Sequence, residues 1–335
     1  MSQTIKPVWY PKTLNIYETQ TAIGKTKRIF QDKLAEVLNL KRVTAPLFVE
    51  SRMGLNDNLN GVERAVTFDI PETQGMAEIV HSLAKWKRLA LYQYGFSRGE
   101  GIYTDMNAIR RDETMDNLHS IYVDQWDWES IIGKEDRTVD FLKETVRKIV
   151  GAICDTLDEI KKDYPGITIT LNRDVTFVTS QELEDMYPDL TSKQRENAIT
   201  KEHKTVFIIG IGDVLKSGNK HDGRAPDYDD WKLNGDLLFY NPMLDSALEI
   251  SSMGIRVDRE SLEEQLMKAD CEDRRTLPFH QMLLDGTLPL TMGGGIGQSR
   301  LCMLLLEKAH VGEVQVSVWD KNTRKAAEEY GMNLL

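Results

Sequence analysis

Near its carboxyl end the chain reads Met292-Gly293-Gly294-Gly295-Ile296-Gly297-Gln298-Ser299-Arg300, and these residues decide which nucleotide-binding folds are open to it. Glycine lets backbone N–H groups approach a ligand closely, and a helix N-terminus favours bound anions. Arg300 falls about one turn into an apolar helix predicted over Gln298 to Glu307 and can reach back across such a site. The plain alternative is a glycine-rich turn leading into a core helix. A dinucleotide fold is disfavoured, because Gly293-x-Gly295-x-Gly297 does not supply GxGxxG and no βαβ unit surrounds it. Gly24-Lys25-Thr26 matches the end of a Walker A loop, but Thr19 stands where its first glycine is required. An ATP site of another type is left.

Working outward, helical periodicity runs from Thr19 to Leu40, followed by an extended stretch from Arg42 to Val49. Pro46 in that stretch has no N–H for a ladder and predicts an edge or interface strand. A second helix spans His81 to Tyr94. Ile102 to Arg111 and Leu118 to Trp128 read as strands joined by the polar turn Asp112 to Asn117. Arg137 to Lys162 carries an apolar helical stripe including Phe141, Val146, Ile153 and Ile160. Strands are predicted at Ile167–Leu171, Val175–Thr179, Val206–Ile211, Asp236–Tyr240 and Ala247–Val257, and helices at Glu260–Lys268 and Arg274–Leu284. Strands mostly follow one another here, which predicts an α+β fold with a large, mostly antiparallel sheet flanked by helices. The expected organisation is one catalytic domain over 1–335, with an insertion near 135–205 and an N-terminal extension over 1–20.

Three segments besides the glycines carry candidate chemistry. Arg110, at a strand end, can neutralise a phosphate through a bidentate fork. Across the loop, alternation in Asp124-Gln125-Trp126-Asp127 places Gln125 and Asp127 on one strand face and Asp124 with Trp126 on the other. Asp236 and Glu249 lie in two β-like runs; if these pair, the carboxylates form a Mg²⁺–ATP bridge, and otherwise they are solvated surface groups. Arg256 offers a cation near the same floor. Arg224-Ala225-Pro226-Asp227-Tyr228-Asp229-Asp230-Trp231 reads as an ordered loop.

With 41% hydrophobic and 28% charged residues the composition is ordinary for a globular protein, and the net charge of −11 disfavours nucleic acid as the main partner. No apolar run reaches the length of a membrane span, and no signal peptide is evident. Cys154, Cys271 and Cys302 are widely spaced, which suits a reducing cytoplasm.

Taken together and in order, these segments resemble the three signature motifs of class II aminoacyl-tRNA synthetases: Val43 to Phe48 the first, Arg110 to Glu129 the second, Gly293 to Arg300 the third. A narrower similarity spans nearly the whole chain. Val80-His81-Ser82-Leu83-Ala84-Lys85-Trp86-Lys87-Arg88, Tyr122 to Glu129, Arg224 to Trp231 and Ser251-Ser252-Met253-Gly254-Ile255-Arg256 resemble the ammonia-dependent asparagine synthetases. The first motif starts so early that no anticodon-binding barrel is expected before it.

That resemblance implies conversion of L-aspartate, ATP and ammonia into L-asparagine, AMP and pyrophosphate through a β-aspartyl-adenylate. It implies an α-carboxylate clamp of Lys87 and Arg256, with Asp57 in Asn56-Asp57-Asn58-Leu59 as partner of the α-ammonium. Ser82, Gln125 and Ser252 complete the expected aspartate site. Arg110 is expected on the α-phosphate and Arg300 on the nucleotide, with Ser120, Val123, Arg224, Ile250, Ser251, Gly295 and Gly297 around them. Asp236 and Glu249 would hold Mg²⁺, and Asp229 and Asp127 are the candidates to deprotonate ammonium. The first motif further implies a homodimer, and no tRNA is expected. A synthetase paralogue serving another acceptor shares every ATP feature and differs only in the nucleophile.

Overall fold

The computed structural model describes residues 4–57 and 63–335. Residues 1–3 of the extension, and Asn58 and Leu59 beside Asp57, lie outside the described residues.

Helix α1 (Ile16–Leu38) starts ahead of its apolar periodicity because Asn15 caps it. The Asn15 side chain accepts from Glu18 N at 3.0 Å, and the Glu18 carboxylate accepts from Asn15 N at 2.9 Å. Left-handed Asn39 (φ 53°) ends it. The expected strand from Arg42 to Val49 is split at Pro46. Before it, β1 (Leu40–Arg42) joins the main sheet; after it, β2 (Phe48–Glu50), β3 (Thr67–Ile70) and β4 (Gly75–Ile79) form a separate sheet in the order β2-β4-β3. A proline in the chain's passage between sheets forfeits no ladder hydrogen bond.

Next come α2 (Ala84–Gln93) and the antiparallel pair β5 (Gly101–Ile109) and β6 (Tyr122–Ile131). The segment read as an insertion contains α3 (Val139–Asp163), β7 (Thr176–Thr179), α4 (Ser180–Met186) and α5 (Ser192–His203), and leads into β8 (Thr205–Ile209). Its longest helix packs against α1 and contributes Val146, Ile149 and Ile153 to the main core. Ile167–Leu171 forms no ladder, contrary to expectation. The N–H groups of Thr168 and Ile169 donate instead to the Glu307 carboxylate, at 2.9 and 2.6 Å.

The remaining elements are β9 (Asp229–Asn241), β10 (Ser246–Arg256), α6 (Arg259–Lys268), α7 (Pro278–Leu284), β11 (Thr291–Gly297), α8 (Gln298–Leu305) and α9 (Lys321–Tyr330). The helix expected from Arg274 breaks at Pro278, leaving a 3₁₀ turn over Glu272–Thr276. A residue preceding proline is disfavoured in the helical region.

Eight strands among the described residues form the large sheet, in the order β1-β5-β6-β11-β10-β9-β8-β7. Only the outermost pairs, β1 with β5 and β7 with β8, are parallel, so the mostly antiparallel α+β expectation holds. The glycine segment requires a correction. It is a central strand, β11, between β6 and β10, and not a turn ahead of the helix. One sheet face carries Trp126, Trp128, Leu237, Phe239, Met253, Ile255 and Ile296, all buried in one core with α1, α3 and α8. The opposite face is polar near its centre. No helix among the described residues is long and apolar enough to cross a membrane.

Residues 4–14 run back over the core. Val8 N donates to Met243 O at 2.8 Å, Ile5 N donates to the Asn117 side chain at 2.7 Å, and Tyr10 bonds the Glu313 carboxylate.

Candidate active site

Strand register determines the floor of the site. Gln125, Asp127 and Glu129 alternate along β6 and face Gly297, Gly295 and Gly293 on β11. Gly295 in turn pairs with Ser252 of β10, and Ser252 with Asp236 of β9. Cross-strand partners share a face, so these polar groups form one row across the sheet. The glycines make the row possible. A Cβ at Gly295 would collide with Gln125 Oε1 and lie 2.7 Å from Asp127 Oδ1, and one at Gly293 would collide with the Glu129 carboxylate.

Over this floor the charges interlock. Helix α2 directs Lys87 into the sheet, where its ammonium donates to Trp128 O and Gly294 O, each at 3.0 Å, and lies 3.1 Å from Asp127 Oδ2. Arg256, at the end of β10, donates from Nε to Glu129 at 3.0 and 3.1 Å and from Nη2 at 2.7 Å, while its Nη1 donates to Asp229 Oδ1. Burial lowers the Lys87 pKa against the pull of Asp127 and Glu129. Burial likewise opposes ionisation of Glu129, but Arg256 and Lys87 outweigh it and hold its pKa below the usual range. Both expected clamp cations thus line the pocket already engaged with protein acceptors.

The far end collects the expected nucleotide residues. Arg110 extends from the end of β5, and its Nε is buried without a partner among the described residues. Arg300 donates to Glu249 O at 3.1 Å and stands 3.8 Å from the Glu249 carboxylate. Glu249 reaches this face through a β-bulge. It pairs with Leu238, whereas Ser251 pairs with Leu237 and Ser252 with Asp236. The inserted residue brings Glu249 and Ser252 to the same side and turns Ser251 to the other. The expectation of Ser251 as a wall of the site is therefore corrected: its hydroxyl is buried, has no hydrogen-bond partner among the described residues, and is absent from the pocket lining. Asp236 also stands back from the wall, bonded to Arg224 Nη2 at 2.6 Å while Arg224 Nη1 donates to Ser252. Burial and then the charge of Glu249 raise Asp236 to about 6, against Arg224. Burial opposes ionisation of Glu249 too, but Arg300 and Lys193 pull its pKa down.

One pocket gathers Asp57, Ser82, Lys87, Arg110, Ser120 and Val123 with Gln125, Asp127, Arg224, Asp229 and Glu249. Ile250, Ser252, Arg256, Gly295, Gly297 and Arg300 complete the expected residues that line it. Sequence reading missed Tyr228, His119, Gln315 and Glu63, which also line the pocket, and Glu129 beneath it. The alternation that found Gln125 and Asp127 continues to Glu129. Tyr228 lay inside the flagged loop, and burial raises its phenol pKa. Gln315 carried no local signal, being brought in by the turn after α8, where it donates to Ser299 Oγ at 3.1 Å.

The fold has known counterparts. Structures of asparaginyl-tRNA synthetases from Entamoeba histolytica and Pyrococcus horikoshii, both complexed with asparaginyl-adenylate, superpose with a TM-score of 0.64 at 12% and 15% identity. They cover 90% and 89% of this chain, which spans 66% and 68% of theirs, so the class II synthetase fold is shared. In sequence, the aspartate–ammonia ligase of Clostridium perfringens is 62% identical over the full length of both chains. That of Lactobacillus acidophilus is 60% identical over 99% of each. The profile of that family matches residues 17–331, and the chain belongs to the aspartate–ammonia ligase family.

Proposed function

We propose that this protein makes L-asparagine from L-aspartate and ammonia, driving the reaction with ATP through a β-aspartyl-adenylate and releasing AMP and pyrophosphate. One observation carries the reading: a single pocket has arginines Arg110 and Arg300 at one end and the Lys87–Arg256 pair at the other. That arrangement suits a nucleotide phosphate facing an amino acid with a second carboxylate to be held. Arg110 would fork onto the α-phosphate and Arg300 would brace the nucleotide, stabilising charge that develops as pyrophosphate leaves. Glu129 keeps one edge of the Arg256 guanidinium, so the edge turned to Asp229 is the one an incoming α-carboxylate would share, with Asp57 near the α-ammonium. This clamp leaves the β-carboxylate aimed at the α-phosphorus, which is largely a matter of positioning.

Glu249 faces the pocket, and Asp236 would exchange Arg224 for the ion if the two are to hold Mg²⁺ entering with ATP. They are two carboxylates on adjacent strands, close enough for the charge of one to raise the pKa of the other. No group of three or more His, Cys, Asp or Glu among the described residues forms a metal site of its own. A two-carboxylate site suits a cation that takes its other oxygens from phosphates and water. Bound there, Mg²⁺ would neutralise phosphate charge.

Pairing of two copies through the exposed Leu47, Phe48, Phe68 and Met76 belongs to the same reading, as do a cytoplasmic setting and independence from tRNA. The test is product analysis with labelled aspartate, ATP and ammonium in the absence of RNA, alongside aspartate-dependent pyrophosphate–ATP exchange. Asparagine and AMP should form in equal amounts, and Arg300→Ala should reduce exchange by at least about 100-fold. ADP as the nucleotide product, or full exchange in that variant, would contradict the reading.

A further inference from the structure

Ammonia at neutral pH is mostly ammonium, a cation with no lone pair to attack with, so an enzyme using it needs an acceptor that both attracts the ion and takes a proton. Of the two carboxylates that alternation and the loop brought to the floor, Asp229 is held between two arginines, by a hydrogen bond on Oδ1 and a longer ion-pair approach on Oδ2. Its Oδ1 receives Arg256 Nη1, and its Oδ2 faces Arg224 Nε at 3.9 Å. Asp127 is different. It is 2% exposed, and its Oδ2 lies 3.1 Å from the Lys87 ammonium. Its Oδ1 is buried without a hydrogen-bond partner among the described residues, although the residue lines the pocket. A buried carboxylate oxygen left without a donor is costly, and ammonium is a donor. Gln125 Oε1 overhangs the same bare Cα of Gly295, where only glycine leaves room for both oxygens. Two oxygen acceptors on a side-chain-free strand position make a cradle for a small hydrogen-bond donor.

We propose that ammonium docks over Gly295 between Asp127 Oδ1 and Gln125 Oε1, and that Asp127 is the residue that deprotonates it. This inference rests on the adenylate chemistry proposed above. Ammonium gives one proton to the Asp127 carboxylate. The freed lone pair forms the new C–N bond at the β-carbonyl carbon, and the C–O bond to AMP breaks with its electron pair leaving on AMP. A second proton passes from nitrogen to solvent, giving the neutral amide. Lys87 keeps Oδ2 engaged throughout, so the proton has one oxygen to go to.

The experiment uses the full-length Asp127→Asn enzyme with two nucleophiles, ammonium and hydroxylamine; the latter is largely unprotonated at neutral pH and needs no acceptor. Aspartate-dependent pyrophosphate–ATP exchange without either nucleophile is the internal reference. The ratio of asparagine formation to exchange should fall about 100-fold or more, as expected for loss of a general base. The corresponding ratio for hydroxamate formation should fall less than about tenfold. An equal fall for both nucleophiles, or an unchanged ratio with ammonium, would overturn the assignment. If Asp127→Asn does not fold, Gln125→Met decides: a KM for ammonium raised about tenfold, with the hydroxylamine KM moved less, supports the cradle, and an unchanged ammonium KM overturns it. Absence of exchange in the unmodified enzyme would instead refute the adenylate reading, so the two failures are distinct.

Discussion

Glu129 has no exposed surface, yet both cations expected to hold the substrate are organised around it. Removing one partner of a buried ion pair leaves the other charge uncompensated, at about 3–5 kcal/mol. Glu129→Gln should therefore lower stability to urea by that order and raise the KM for aspartate more than that for ATP. Equal changes in the two KM values would assign Glu129 to the scaffold alone. At this scale the sequence was readable wherever strand alternation was regular, as it was for Gln125 and Asp127. It failed at Ser251, where one inserted residue shifts the phase, because nothing local in Ile250-Ser251-Ser252 announces a bulge. Asp236 was expected to face the nucleotide but stands back from the pocket, because its pairing with Arg224 depends on a loop folding back from twelve residues upstream in sequence.

Among elements, β11 departs furthest from its sequence reading. Four glycines lower strand propensity and suggest a turn, but here their neighbours across the sheet supply the reason for them. Gly293→Ala should be destabilising by about 1–3 kcal/mol, as expected of overpacking, because its Cβ meets the Glu129 carboxylate and Trp128 O. Denaturation by urea together with the aspartate KM would check this, and both should worsen. The long helices were legible from periodicity, and α1 gained its extra turn from the Asn15–Glu18 cap. Ile167–Leu171 was misread because an apolar run resembles a strand whether or not a partner strand is free. Glu307 meets its N–H groups instead.

For the whole molecule, acid stability should depend on His310, where the chain turns after α8. Its Nδ1 accepts from Gly312 N at 3.0 Å, its ring stands edge-on to Trp319, and burial lowers its pKa to about 4. The unfolded chain protonates near 6.5, so it binds more protons than the folded state between these values. Stability contributed by neutral His310 is present above about pH 6.5 and is lost as pH falls towards 4, by about 2 kcal/mol between pH 7 and pH 5. His310→Asn, which can still accept from Gly312 N but cannot titrate, should lose less over that interval in urea titrations; parallel curves would refute the point. The α+β class was legible because strands succeed one another along the chain. The main sheet's order was not, since it sets β11 between β6 and β10, strands distant in sequence. That placement bears on how such chains can diverge. Three of the four glycines of β11 are matched to particular neighbours across the sheet: Gly293 to Glu129, Gly294 to Met253, Gly295 to Gln125 and Asp127. Among distant descendants of a common ancestor these positions should therefore change in concert, a larger residue at 293 being inherited only with a shorter one at 129, and an alignment deep enough to measure covariation would reveal the sheet's centre as linked pairs.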